Sequence, residues 1–165
     1  MAPIQDFPEA KWELLIGVML TGAFLLTKYA FPHMIRQRFG RIINVASAHG
    51  LVASPFKAAY VSAKHGLLGL TKVIAVEGAA HNITAVAVCP GYVRTPLVER
   101  QIAEQAKAHG LPEQEVMEKV LLVRQVVKRL LEPEEVADLV VFLCTDQASG
   151  ITGTHIAMDL GWTAH

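Results

Sequence analysis

Apolar positions dominate residues 8–38, and the residues around them are mostly helix formers. Pro8 suits a first-turn position, Glu9 and Glu13 suit the electropositive start of a helix, and Arg36 and Arg38 suit its electronegative end. One long helix is predicted, kinked at Pro32, where a proline removes a backbone donor and crowds the preceding turn. Its most apolar part, residues 14–26, falls short of the ~20 residues that span a membrane and reads as a buried helix.

The pattern then changes period. Residues 41–47 form a β-branched run after Gly40, as expected of a short buried strand, and a loop follows to Pro55. Residues 57–80 return to helical spacing, with Tyr60, Lys64 and Leu67 or Leu68 on one face. A second apolar strand at 84–88 closes on Cys89-Pro90-Gly91. Helices are predicted at 97–108, 113–131 and 133–143, the last with Pro133 at its first position and Glu134 and Glu135 in its first turn. A short strand at 154–159 completes the set. Strands alternating with helices imply an α/β fold with a parallel sheet and right-handed crossovers, here with three strands. With no internal repeat, low-complexity segment or linker, residues 1–165 read as a single domain.

Composition narrows the function classes. The chain is 52% hydrophobic and 18% charged, with fifteen basic and fifteen acidic residues, so it reads as globular and has no basic surplus to draw nucleic acid or an anionic membrane. Cys89 and Cys144 stand apart in apolar stretches, which suits a reducing compartment better than a disulfide or zinc framework. The first residues lack the basic and apolar regions of a secretory signal, so the cytoplasm is the expected location.

The chemistry centres on Tyr60-Val61-Ser62-Ala63-Lys64. On a helix this spacing puts a phenol and an ammonium one turn apart on one face. A free tyrosine, with a pKa of about 10, is a poor base at neutral pH, and a nearby cation favours its phenolate. The pair alone arises by chance in many helices. Its surroundings add weight: Ser47 ends a predicted strand thirteen positions earlier, and Pro90-Gly91 ends the next strand on the same edge, where open α/β sheets bind ligands.

Ile43-Asn44-Val45-Ala46-Ser47, the Tyr60/Lys64 pair, Cys89-Pro90-Gly91-Tyr92-Val93-Arg94-Thr95 and Ile151-Thr152-Gly153 occur in the order and spacing of the short-chain dehydrogenase/reductase family, which this sequence resembles over nearly its whole length. The resemblance implies the C-terminal part of a Rossmann-like doubly wound parallel sheet, with the first βαβ units and their G-x-x-x-G-x-G loop missing. It implies that Tyr60 is the acid/base, that Ser47 orients the substrate oxygen, and that Lys64 tunes Tyr60 while touching the nicotinamide ribose. Pro90, Gly91, Val93 and Thr95 are implied to line the nicotinamide of an NAD cofactor.

Four further residues, His49, Lys57, Gln101 and Trp162, match positions that hold and cap a small carboxylate in the 3-hydroxybutyrate-oxidising branch of the family. Such an anion needs fixed donors once desolvated, and His, Lys and Gln supply them. Taken singly, Lys57 also reads as solvated charge, His49 and Gln101 as loop polar groups, and Trp162 as core. The implied reaction is NAD-dependent interconversion of 3-hydroxybutyrate and acetoacetate, with a small hydroxy or keto acid as partner and a homo-oligomer as the assembly. A 3-oxoacyl carrier-protein reductase or a non-catalytic fragment is the alternative. Met19, Val86 and Leu160 depart from the family's usual asparagine, asparagine and glycine.

Overall fold

The computed structural model describes residues 2–164. Three parallel strands, β1 (Gly40–Val45), β2 (Ile83–Pro90) and β3 (Thr154–Met158), lie side by side in that order. Gly40 pairs with Ile83 and Val45 with Val88 on one side of β2, and Val86 pairs with Thr154 and Pro90 with Met158 on the other.

Every residue of β2 is buried, as its nearly continuous apolar sequence, interrupted only by Thr84, leads one to expect of a strand covered on both faces. Successive side chains point to opposite faces, and the two faces differ in size. Ala85, Ala87 and Cys89 pack with helix α2 (Ala58–Gly78), whereas Val86 and Val88 pack with Leu143 and the half-buried Val136, Leu139 and Val140 of helix α5 (Pro133–Leu143). Small residues on the first face let α2 approach closely through its own stripe of Ala59, Ala63, Leu67, Thr71, Ala75 and Gly78. At Gly78 a Cβ would stand 2.8 Å from the Cβ of Ile83, so the turn into β2 requires glycine there. Helix α5 starts at Pro133 with a capping box: the Glu132 side chain takes an amide of the first turn, and the Glu135 carboxylate takes the Glu132 N–H at 2.8 Å.

Helix α1 (Glu9–Gln37) is continuous through Pro32. Residues Gly17–Thr21 within it form a π turn that the sequence did not announce. The expectation of a buried helix fails, because no residue of α1 is fully buried. One side meets α2, where Leu20 would lie 2.8 Å from a Cβ at Gly66, and Phe31 joins the Ile74 and Ala85 cluster. The other side leaves Leu14, Val18, Leu26 and Tyr29 more than half exposed. The helix has close to its predicted extent, but the reading that its apolar part falls short of a membrane span fails: at 29 residues with a mean hydropathy of 1.7 in its most apolar window it is long and apolar enough, by length and composition, to cross a membrane.

The helix expected over 113–131 is a second correction. Helix α3 (Pro96–His109) ends at Gly110 in a left-handed cap, and α4 (Glu113–Val116) runs into a π turn (Met117–Leu121) and stops. Residues 122–131 are irregular, and three of their amides find partners far along the chain. Val126 and Val127 both donate to the Leu160 carbonyl, and Leu131 donates to Tyr92. This segment is thereby tied to the loops that follow β2 and β3.

Candidate active site

The loops at the C-terminal ends of the three strands converge with the start of α2. Strand β1 ends at Val45, two residues short of the expected Ser47. Ser47 instead opens a 3-10 turn (Ala48–Gly50) with extended backbone, its Oγ accepting the His49 N–H at 3.1 Å. Gly50 lets that turn nest on α2, since a Cβ would stand 3.1 Å from the Lys64 carbonyl.

His49 is the hub. It is buried, with its Nε2 2.9 Å from the Ser54 Oγ. Its ring stands edge-on to Tyr60 at 5.7 Å and to Trp162 at 5.0 Å between centroids. Burial, followed by the charges of Lys57, Arg124 and His65, lowers its pKa to about 4, so the imidazole is neutral at neutral pH. Lys57 also has a lowered pKa through burial, and no hydrogen bond or ion pair engages its ammonium among the described residues.

Tyr60 and Lys64 occupy successive turns of α2, with Lys64 Nζ 5.8 Å from the Tyr60 ring centroid. The Lys64 ammonium donates to the Val45 carbonyl at 2.8 Å. Burial lowers its pKa, opposed by the Cys89 thiol below it. Met19 lies half-buried in the π turn of α1, on the helix that packs against α2.

Trp162 is 8% exposed and its Nε1 has no hydrogen-bond partner among the described residues. The turn that carries it is fixed by Asp159, whose carboxylate accepts the Gly161 N–H at 3.0 Å, the Thr163 N–H at 2.9 Å and the Thr163 hydroxyl at 2.5 Å. Gly161 adopts a φ of +83°, and its own Cβ would overlap Val126.

On the nicotinamide side of the implied site, Pro90 ends β2 buried, and Gly91 donates to Met158 at 2.8 Å. A Cβ at Gly91 would stand 3.0 Å from the Asp159 Cα, so glycine here permits close approach of the Trp162 turn. Val93 bridges to Leu131. Thr95 caps α3, accepting the Val98 N–H at 3.3 Å. His49 thus joins Ser47, Tyr60 and Trp162, with Lys57 before and Lys64 after Tyr60 along the chain. Gln101 does not join them by any hydrogen bond among the described residues and is exposed on α3.

Two contributors escaped the sequence reading. Tyr92 stacks on Trp162 with ring centroids 5.6 Å apart and planes 5° from parallel, and burial, then the nearby Tyr60, raise its pKa. Its signal was an aromatic directly after Pro90-Gly91. Asp159 was legible only as a lone carboxylate ending an apolar strand before Gly161.

The family model described as enoyl-(acyl carrier protein) reductase matches residues 1–163. D-beta-hydroxybutyrate dehydrogenase of Rhizobium meliloti is 52% identical over 161 residues, covering 98% of this chain and 62% of that protein. The Cupriavidus necator protein of the same name is 45% identical over 99% of this chain and 64% of its own. A 3-oxoacyl-[acyl-carrier-protein] reductase of Thermotoga maritima is 38% identical over 93% of this chain and 57% of its own. Among solved structures, ElxO with NADP bound superposes with a TM-score of 0.88 at 27% identity, over all of this chain and 63% of that one. The chain therefore spans less than two thirds of the length of these relatives.

Proposed function

Because this chain belongs to the short-chain dehydrogenase/reductase family, we propose that it carries the acid/base and substrate-holding part of a nicotinamide-dependent interconversion of 3-hydroxybutyrate and acetoacetate. The observation that carries this reading is the placement of Tyr60 between the Lys64 ammonium, 5.8 Å from its ring, and the His49 ring, 5.7 Å away, whose backbone N–H bonds to Ser47.

In this reading the Tyr60 phenol exchanges a proton with the substrate oxygen and the Ser47 hydroxyl orients that oxygen. Lys57 meets the carboxylate with a charge-assisted bond, His49 offers a neutral donor beside it, and Trp162 with Tyr92 closes the pocket.

A nicotinamide dinucleotide, NAD in our proposal, supplies or accepts the hydride at the carbon bearing that oxygen. The residues present fit its nicotinamide end. Lys64 spends one of three ammonium protons on Val45 and keeps two for ribose hydroxyls, and Thr95 accepts one bond while its own hydroxyl proton stays free to donate. The glycine-rich phosphate loop of the family is not found within the 165 residues, so we propose that this chain alone turns over little. We also propose a cytoplasmic homo-oligomer with no nucleic-acid partner, in keeping with zero net charge and two free cysteines.

The test fuses to this chain the portion of the Rhizobium meliloti relative that it does not cover and follows NADH oxidation with acetoacetate. Turnover that Tyr60→Phe abolishes, with Lys57→Ala chiefly raising KM for the keto acid, supports the reading. Turnover unchanged by Tyr60→Phe overturns the assignment of the acid/base.

A further inference from the structure

A cavity of about 330 Å³ opens beside Tyr60, between the start of α1 and the loop before α2. Phe7, Leu15 and Phe56 form apolar walls, and Lys57 and Tyr60 belong both to this cavity and to the candidate active site. Lys11 stands on the same wall one turn before Leu15, so that wall is ~6 Å long by helical rise. The volume lies in the range in which small organic ligands bury most of their surface, and a mostly apolar lining with a few polar groups is the usual composition of such a site.

Two features say what the cavity fits. Lys57 is a cation lowered in pKa by burial, and neither its ammonium nor that of Lys11 has a carboxylate partner among the described residues. An unpaired, partly desolvated cation at the edge of an apolar cavity suits a carboxylate attached to a hydrocarbon chain. Phe56 is held at a φ of +67°, a left-handed conformation uncommon for a bulky residue, and this backbone places it among the lining residues.

We infer that this cavity is an acyl-chain site, which holds the hydrocarbon tail of a carboxylic acid whose head reaches Lys57. Combined with the proposed reaction, on which this extension rests, it widens the accepted substrates from 3-hydroxybutyrate to medium-chain 3-hydroxy acids. The tail lies along Leu15 and Phe56 while the hydroxyl meets Tyr60. Each buried methylene then tightens binding roughly two- to fourfold.

The experiment titrates the purified chain with 3-hydroxybutyrate, 3-hydroxyhexanoate, 3-hydroxyoctanoate and plain octanoate, using calorimetry and ligand-observed NMR. Leu15→Trp fills the cavity and is compared at equal helicity by circular dichroism; Phe56→Ala, which removes a wall from an exposed position, replaces it if the tryptophan variant does not fold. Affinity rising at least tenfold from the four-carbon to the eight-carbon hydroxy acid, with the gain lost in the variant, is expected. Affinity flat with chain length, or a gain that survives in the folded variant, overturns the acyl-chain site. Octanoate binding separates the two readings: if octanoate binds and Leu15→Trp blocks it while no hydroxy acid binds more tightly, the cavity stands and the hydroxy-acid reaction falls.

Discussion

The indole of Trp162 stands edge-on to the imidazole of His49, with centroids 5.0 Å apart and planes at 87°, while its flat face stacks on Tyr92. One side chain thus joins the loop after β1, the loop after β2 and the turn after β3. Replacing Trp162 by alanine removes both contacts and leaves a large void at 8% exposure. The expected cost is about 3–5 kcal/mol in urea denaturation. Trp162→Phe keeps the stack and retains most of that stability. An unchanged midpoint for the alanine variant would remove Trp162 from the packed wall of the site.

His49 makes stability depend on acid. Its folded pKa of about 4 lies below the unfolded value of about 6.5, so between these values the unfolded chain binds more protons and stability rises with pH. The stabilising contribution is complete above about pH 6.5 and is lost as pH falls towards 4. Chemical denaturation across that window is expected to show the decline, and His49→Gln should remove that part of it. A His49 ring resonance titrating near 6.5 in NMR would contradict the burial and the positive surroundings that depress it.

Asn44 and Thr71 form a buried pair across β1 and α2. The Asn44 Nδ2 donates to the Thr71 Oγ1 at 2.9 Å, and that hydroxyl donates to the Leu67 carbonyl at 2.7 Å. Thr71→Val preserves shape but leaves the Asn44 amide without its acceptor, which is expected to cost about 1–3 kcal/mol. Replacing both partners, as Asn44→Leu with Thr71→Val, should recover part of that loss. No recovery would mean that the pair acts through packing alone.

Much of this arrangement was legible because local and tertiary signals agree. The apolar run at 84–88 announced a strand, which extends over Ile83–Pro90, and the Tyr60/Lys64 spacing put both groups on one helix face in advance. Predictions failed where residues answer to distant partners. Residues 122–131 look helical by composition, but the Val126 and Val127 amides are claimed by Leu160, which no local pattern announces. The Asp159 turn and the Tyr92 stack have the same origin. Helix α1 misled for the opposite reason: apolar composition signalled burial, while Leu26 remains 77% exposed, since composition does not say what supplies the cover.

That uncovered surface leads to a prediction of assembly. Besides Leu26, α1 exposes Leu14, Val18 and Tyr29, and α2 exposes Val73 and Val76, the last at 79%. The outer edge of β1 has no strand beside it among the described residues, and Val45 at its end is half exposed. Apolar surface of this extent, where it faces water, marks an interface or an aggregation site, and an unprotected strand edge adds a second route to pairing. Arg41 gives little defence at that edge. Its side chain is only 4% exposed, donates to the Gly40 and Asn82 carbonyls and faces Asp146. Sedimentation at micromolar concentration is expected to find a homo-oligomer, and Val18→Lys combined with Val76→Glu should dissociate it without loss of helicity. Dissociation by the pair assigns the contact to the two helices, whereas an oligomer that persists in the variant assigns it to the β1 edge. A folded monomer of the unmodified chain would overturn the prediction, because surfaces this apolar would then stay in water without a partner.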